Sequence, residues 1–131
     1  MAIEHEAEYG LERFELYNHA RAFRRSIYQL IYKLPTTERF CLATQMRRAA
    51  ISVSNNIAEG HGRWHFQENL QFCRIARGSV EEIIDDLNIC LDECYFEQAT
   101  IDTSKQQAQE LIARINGYIV YLRRCLREKN S

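Results

Sequence analysis

The chain has 131 residues, which fits one compact domain because domains usually contain about 100–200 residues. Hydrophobic residues make up 46% and charged residues 27%, a composition that can build a core and excludes a disordered or fibrous chain. Its 17 basic and 18 acidic residues nearly cancel, and no apolar run approaches the roughly 20 residues of a membrane span. The first residues are acidic where a signal peptide is basic and then apolar, so we expect a cytoplasmic protein.

The first half of the chain carries two stretches of apolar residues spaced by three and four positions, the spacing of amphipathic helices. The first stretch predicts a helix over about residues 11–34. Pro35 ends it, because proline disfavours helix at the residue before it. Residues 36–38 (Thr-Thr-Glu) can cap a second helix, which is predicted to run to about Glu59.

The second half contains two further helical stretches. Two glycines follow Glu59, and beyond them a third helix is predicted to reach about Cys94. A link over residues 95–101 then precedes residues 102–104 (Asp-Thr-Ser), which can cap a fourth helix. With one proline and five glycines, the chain lacks the turn residues of a many-stranded sheet.

Four helices joined by short connections predict an all-α fold, an antiparallel up-down-up-down four-helix bundle. We expect a single domain over residues 1–131, with its core at about 11–127 and frayed ends.

Catalytic and metal-binding patterns are weak. The five cysteines lack the C-x-x-C spacing of zinc and redox sites. His61 and His65 are four residues apart, but no carboxylate pair is placed to complete a metal site. The sequence therefore predicts no cofactor, no metal and no enzymatic activity, and a metal-dependent enzyme is the least favoured alternative.

Charge is sorted along the chain. Residues 16–80 hold ten bases and three acids, residues 81–102 hold eight acids and no base, and residues 103–131 hold six bases and two acids. An antiparallel bundle would then have an acidic end and a basic end, which suits self-association or a polyanionic partner. The alternative is a solvated surface whose charges neutralise one another.

One flank of the first helix interleaves arginine with tyrosine: Tyr17, Arg21, Arg24, Arg25, Tyr28 and Tyr32. Guanidinium groups bind phosphate, and aromatic rings stack on unpaired bases. The same residue types are common in protein interfaces. From the residues alone we favour a protein interface at this flank, which would let the chain act as a protein-only scaffold that recruits a partner enzyme.

The outer face of the second helix carries a polar ladder: Cys41, Gln45, Arg48, Ser52, Asn55 and Glu59. Serine and asparagine are poor helix formers and need a compensating contact. The ladder therefore predicts packing against sister copies, and a frayed helix end is the alternative. On the third helix, Ile75 and Ile89 are predicted to face away from the core, another feature of an interface.

The segments 34–40 (LPTTERF), 45–52 (QMRRAAIS) and 56–60 (NIAEG) resemble bacterial four-helix bundle proteins encoded in 23S rRNA intervening sequences. Similarity continues through Arg63, segment 75–79 (IARGS) and Glu82. The accessory proteins of diversity-generating retroelements, which bind RNA and a reverse transcriptase, look similar, although they are strongly basic and this chain is not.

The resemblance implies a ring-shaped homopentamer with no known catalytic activity and a role with RNA or other nucleic acid. This chain departs from the family pattern at Ser54, where proline is usual, and at Cys94, where glycine is usual. A kink in the second helix and a left-handed cap after the third helix are therefore less expected.

Two sets of site residues follow. The predicted nucleic-acid-binding residues are Arg21, Arg24, Arg25, Arg63, Arg74, Arg123, Arg124 and Arg127. The predicted oligomer-interface residues are Gln45, Arg47, Arg48, Ser52, Asn55, Asn56, Glu59, Ile75, Glu82, Asp85 and Ile89. Of the second set, Arg47, Arg48, Asn56 and Glu59 carry family motif positions, and the resemblance gives them no chemical role.

Overall fold

Four long helices make up most of the chain. The computed structural model describes residues 10–63 and 65–130, and the expected fraying of the first nine residues lies outside them. The helices are α1 (Glu15–Ile31), α2 (Leu42–His61), α3 (Phe66–Asp92) and α4 (Gln98–Asn130), with 3-10 turns at Leu11–Arg13 and Thr36–Glu38. Within the described ranges there is no strand, and the predicted all-α four-helix bundle is confirmed. None of the described helices is long and apolar enough to cross a membrane.

Contacts between side chains fix the direction of the helices. Gln45 pairs with Asp86, and Ser52, seven residues further along α2, pairs with Ser79, seven residues earlier on α3. α2 and α3 are therefore antiparallel. α1 also packs against α4, which closes the bundle, and the most extensive packing is between α2 and α3.

Apolar side chains from all four helices fill one core. The largest fully buried apolar side chains are Ile27, Met46, Val53, Ile57, Cys73, Val80, Ile83, Leu87, Ile101, Ile115 and Leu122. Fully burying one leucine or isoleucine contributes about 1.5–3 kcal/mol. The core follows the predicted apolar stripes because each stripe occupies one face of its helix.

The end of α2 lies closer to α3 than the sequence indicates. α2 continues through Gly60 to His61, although the helix was predicted to end at Glu59. A Cβ atom on Gly60 would lie 2.5 Å from the Asn69 Oδ1 atom and 3.0 Å from the Phe72 Cβ atom. This glycine therefore permits a close approach of two helices and does not end the first of them.

Three predicted helix starts are wrong by several residues. α1 begins at Glu15, after a separate 3-10 turn, and α4 begins at Gln98, so that the predicted caps at 102–104 lie inside the helix. The segment 36–38 is a 3-10 turn, and α2 begins only at Leu42. Of the predicted capping residues, Glu38 still caps α2 from outside the helix, because its Oε1 atom accepts a hydrogen bond from the amide of Leu42, the first residue of α2, at 3.3 Å.

The turn after α3 has the left-handed residue that the sequence made less expected. Cys94 adopts a φ of 61°, the region that favours glycine. The Tyr95 amide donates to the Cys90 carbonyl at 2.9 Å, and the Cys94 amide donates to the Leu91 carbonyl at 3.0 Å. These two bonds form a Schellman motif, so the hydrogen bonds of the helix end hold a cysteine in a strained conformation.

Candidate nucleic-acid and subunit interfaces

The first candidate interface lies along α1 and the adjoining side of α2. We call it the Arg–Tyr surface, and it comprises Tyr17, Arg21, Arg24, Arg25, Tyr28, Gln29, Tyr32 and Arg47. The core residues Phe23 and Ile27 occupy the opposite side of α1 and are buried. The arginines and tyrosines are therefore left at the surface, on the flank that the helical spacing predicted.

Arginine and tyrosine side chains contact one another along this surface. The guanidinium carbon of Arg47 lies 5.6 Å from the centre of the Tyr28 ring, and that of Arg21 lies 5.6 Å from the Tyr17 ring. Both are cation–π contacts. Tyr28 also meets Tyr32 edge-on, with ring centres 6.2 Å apart and planes at 87°. Tyr32 remains 67% exposed, so its ring is available to a further partner.

One arginine of the surface is anchored to the bundle. Arg24 donates a hydrogen bond from Nη1 to the Ser54 hydroxyl at 2.7 Å, and Ser54 donates in turn to the Ile51 carbonyl at 3.3 Å. Ser54 is buried and stands where the resembling family usually has proline. A serine here provides the hydroxyl that holds Arg24, which proline could not do.

The Arg–Tyr surface lies in a strongly basic part of the chain. Residues 16–58 contain seven basic residues and one acidic residue, Glu38. Glu38 is already engaged, because it accepts hydrogen bonds from the Tyr95 hydroxyl at 2.5 Å and from the Leu42 amide. Few acids oppose these cations within α1 and α2, so the surface favours a negatively charged partner.

The second candidate interface is the outer face between α2 and α3, which we call the polar face. Its centre is a hydrogen bond of 2.8 Å between the Ser52 and Ser79 hydroxyls. The Asn56 amide donates to the Ser52 carbonyl at 2.8 Å and to the Ser52 hydroxyl at 3.0 Å. Ser52, one of the ladder residues that predicted an outside contact, therefore finds partners within the same bundle, whereas the ladder's asparagine, Asn55, is exposed.

A buried carboxyl group lies at the acidic end of the polar face. Asp86 is fully buried, and Gln45 donates to its Oδ1 atom at 2.5 Å. Its Oδ2 atom has no hydrogen-bond partner among the described residues. Burial raises the pKa of Asp86 to about 6, the bond from Gln45 lowers it, and the neighbouring Asp85 and Glu82 raise it.

Other predicted oligomer-interface residues fall into two groups. Arg48, Asn55, Glu59, Glu82 and Asp85 are exposed on or beside the polar face. Ile75 is also exposed, at 46%, but Ile89 is partly buried against the core, so the prediction that both isoleucines face outward is wrong for Ile89. Arg47 lies on the other side of α2, over the Tyr28 ring, because consecutive helical residues point about 100° apart.

The predicted basic end brings together the start of α1, the end of α2 and an inner turn of α4. Phe14 stacks on His61 with ring centres 4.4 Å apart and contacts Tyr118 at 5.1 Å. Arg63 at this end forms a salt bridge of 2.9 Å with Glu59. The charge of Arg63, a predicted phosphate-binding residue, is therefore partly neutralised. Arg74 is half-buried, and Arg123, Arg124 and Arg127 are exposed near the end of α4.

The residue of the Arg–Tyr surface that sequence reasoning missed is Gln29. It follows Arg25 by four positions and precedes Tyr32 by three, so helical spacing already places it between them. Arg47 was predicted as an oligomer-interface residue from the family motif, and only the packing of α2 on α1 reveals its contact with Tyr28. Within residues 10–63 and 65–130, no cluster of three or more His, Cys, Asp or Glu side chains could hold a metal ion.

Comparison with known proteins identifies a family and a shared fold. Residues 12–117 match the family model of the 23S rRNA-intervening sequence protein. The fold is similar to the crystal structure of a protein with unknown function from the S23 ribosomal protein family of Bacteroides thetaiotaomicron, with a TM-score of 0.74 and 17% identity over 79% of this chain and 97% of that one. Among curated proteins, none matches the chain significantly. Neither of the two descriptions names a catalytic activity.

Proposed function

The chain belongs to the 23S rRNA-intervening sequence protein family, and on that premise we propose that it is a non-catalytic, self-associating protein of the cytoplasm that binds RNA on its Arg–Tyr surface. The proposed assembly is a ring-shaped homopentamer, as the family resemblance implies. The basic ends of the subunits would meet on one rim of the ring, and Arg123, Arg124 and Arg127 would add to the attraction for RNA there.

One observation carries the RNA proposal: residues 16–58 contain seven basic residues and a single acid, and four of the arginines (Arg21, Arg24, Arg25 and Arg47) share a surface with Tyr32, which is 67% exposed. Protein–nucleic acid complexes use guanidinium groups for phosphates and aromatic rings for unpaired bases. A ring of subunits repeats the surface and raises its avidity. A chain with a net charge of −1 can then still bind a polyanion.

Self-association is supported by charge and by exposed apolar side chains. α3 exposes the acids Glu81, Glu82, Asp85 and Asp92, opposite in sign to the α1–α2 side. Ile75 is 46% exposed and Phe40 84% exposed. When two different faces of identical subunits meet head to tail, the contact generates a closed ring if the rotation closes.

RNA binding is tested by filter retention of single-stranded RNA at low salt and at increasing salt. We expect affinity to fall as salt rises, because phosphate contacts release counterions. Arg21→Ala combined with Arg25→Ala should weaken binding at least tenfold. Arg114→Ala, which removes an exposed arginine of α4 outside both surfaces, is the matched control. No retention of RNA at low salt would reject the proposal.

Self-association is tested separately by light scattering at micromolar concentration, where we expect the mass of a pentamer. A monomer at that concentration would reject the assembly but leave the RNA test standing. A pull-down from lysate with and without nuclease addresses the scaffold alternative, since recovery of a protein partner that is indifferent to nuclease favours a protein-only scaffold.

A further inference from the structure

We propose that the Arg–Tyr surface contains a pocket for a single unpaired nucleobase, with Tyr32 as its stacking platform and Gln29 at the edge of the base. The inference rests on the proposed RNA binding and deepens it. It specifies that the ligand is single-stranded, because a base inside a duplex is already stacked on both faces and cannot reach a protein ring.

The pocket is an open concavity of about 200 Å³ lined by Arg24, Arg25, Tyr28, Gln29 and Tyr32. Pockets for drug-sized ligands are larger, roughly 300–1,000 Å³. A concavity of this size therefore suits one planar base and not a whole dinucleotide cofactor. Four of the five side chains come from α1, and Tyr32 is the residue that caps its end, so one rigid helix and its cap fix their spacing.

The chemistry of the lining matches the parts of a nucleotide. The ring of Tyr32 offers a flat π-face, which stacks on any base. The amide of Gln29 offers two donor hydrogens and an acceptor oxygen, which can pair with a base edge. Arg25 lies one turn before Gln29 and carries a guanidinium group suited to a phosphate oxygen.

The groups that would touch the nucleotide are not used within the bundle. Within the described part of the chain, the side chains of Arg25 and Gln29 make no hydrogen bond or ion pair, and the ring of Tyr32 has only its edge contact with Tyr28. By contrast, Arg24 is held by Ser54, and Tyr28 is covered by Arg47. The pocket thus has a fixed wall of Arg24 and Tyr28 and a free side of Arg25, Gln29 and Tyr32.

The experiment compares a single-stranded 12-nucleotide oligoadenylate with an RNA duplex of the same number of phosphates, by fluorescence anisotropy at one salt concentration. Tyr32→Leu should weaken binding of the single strand about 5- to 160-fold, since one stacked base contributes about 1–3 kcal/mol, and should leave duplex binding within twofold. Tyr32→Phe should restore single-strand binding because it keeps the ring. Gln29→Ala should weaken single-strand binding by a smaller factor.

Tyr121→Leu is the matched control, because Tyr121 is a tyrosine of α4 that is 49% exposed and lies outside the Arg–Tyr surface. If the wild-type protein binds both probes and Tyr32→Leu changes neither, or changes both equally, the base pocket is wrong while the proposed RNA binding stands. If the wild-type protein binds neither probe, the proposed function itself has failed. Unchanged thermal unfolding of Tyr32→Leu shows that the fold is intact.

Discussion

The two sides of α2 use polar residues in opposite ways. On the polar face, the hydroxyl and amide groups of Ser52, Asn56 and Ser79 bond to one another. On the Arg–Tyr surface, Arg47 and Tyr28 also touch, but the neighbouring Tyr32 keeps most of its area in solvent. The polar face uses its hydroxyl and amide groups to join α2 and α3, while the Arg–Tyr surface leaves the Tyr32 ring exposed to solvent.

This difference separates stability from binding. A residue whose polar atoms are satisfied inside the bundle should affect unfolding when it is replaced. A residue whose polar atoms face solvent should leave unfolding nearly unchanged and affect only the binding of a partner. The contrast can be tested with substitutions in the two surfaces and in the packing beneath the polar face.

The largest stability effect is expected at Asp86. Its pKa is raised from 3.8 to about 6 by burial, so its contribution to stability is complete below pH 3.8 and is lost as the pH rises through about 6. Each pKa unit corresponds to about 1.4 kcal/mol, so Asp86→Asn should raise the free energy of unfolding by about 2–3 kcal/mol at pH 8 and by almost nothing at pH 3.

Urea denaturation at fixed protein concentration measures this difference, because assembly makes stability depend on concentration. Glu81→Gln is the control, since Glu81 is an exposed acid of the same helix and is not among the groups that raise the pKa of Asp86. If Asp86→Asn gives the same gain at pH 8 and at pH 3, ionisation of the buried carboxyl group does not account for it.

The next effect is expected at Gly60, where α2 approaches α3 most closely. Gly60→Ala should lower the free energy of unfolding by about 1–3 kcal/mol, the usual cost of overpacking, because the new methyl group would meet Asn69 and Phe72. Gly78→Ala is the matched control: it is a helical glycine with open space around it, and alanine there should add about 0.5–1 kcal/mol of stability. Thermal unfolding that moves both variants in the same direction would contradict the close approach.

A smaller effect is expected for the hydroxyl pair at the centre of the polar face. Ser52→Ala and Ser79→Ala should each cost about 1 kcal/mol, with Ser52→Ala also losing the bond from Asn56. The double variant should cost less than their sum, because the bond between the two hydroxyls is lost in all three variants. The coupling energy from this double-mutant cycle is the measurement. Additive costs would mean that the two hydroxyls do not stabilise the bundle together.

The smallest stability effect is expected on the Arg–Tyr surface. Arg25→Ala should change the free energy of unfolding by no more than about 0.5 kcal/mol, as for most surface substitutions, and should still weaken RNA retention. Chemical denaturation and filter binding on the same sample measure both quantities. A cost above 1 kcal/mol would show that the Arg–Tyr surface also stabilises the bundle, which would contradict the contrast between the two surfaces.

Several features of both surfaces could be read from the chain. The arginine and tyrosine spacing from Tyr17 to Tyr32 is local to one helix, and it placed these residues on one flank correctly. The polar ladder was also placed on one face of α2. Its interpretation as a contact with sister copies remains a prediction, because the internal bond of Ser52 already explains one of its poor helix formers, while Asn55 is exposed.

Other features depended on distant parts of the chain. Arg47 could not be assigned to Tyr28 without the packing of α2 on α1. A left-handed conformation was less expected at Cys94 because the family usually has glycine there. Two hydrogen bonds at the end of α3 nevertheless fix that conformation, and residue type alone does not show them. Ile89 was predicted to face away from the core, at an interface, but its side chain is partly buried against the core.

The sequence by itself determined four amphipathic helices, their order and the flank of α1 that is rich in arginine and tyrosine. It could do so because helical periodicity relates residues that are only three or four positions apart. Only the tertiary structure decided which polar groups bond inside the bundle, which carboxyl group is buried and which ring stays exposed. Those outcomes depend on the rotation and register of helices packed against each other, and residues separated by tens of positions settle them together.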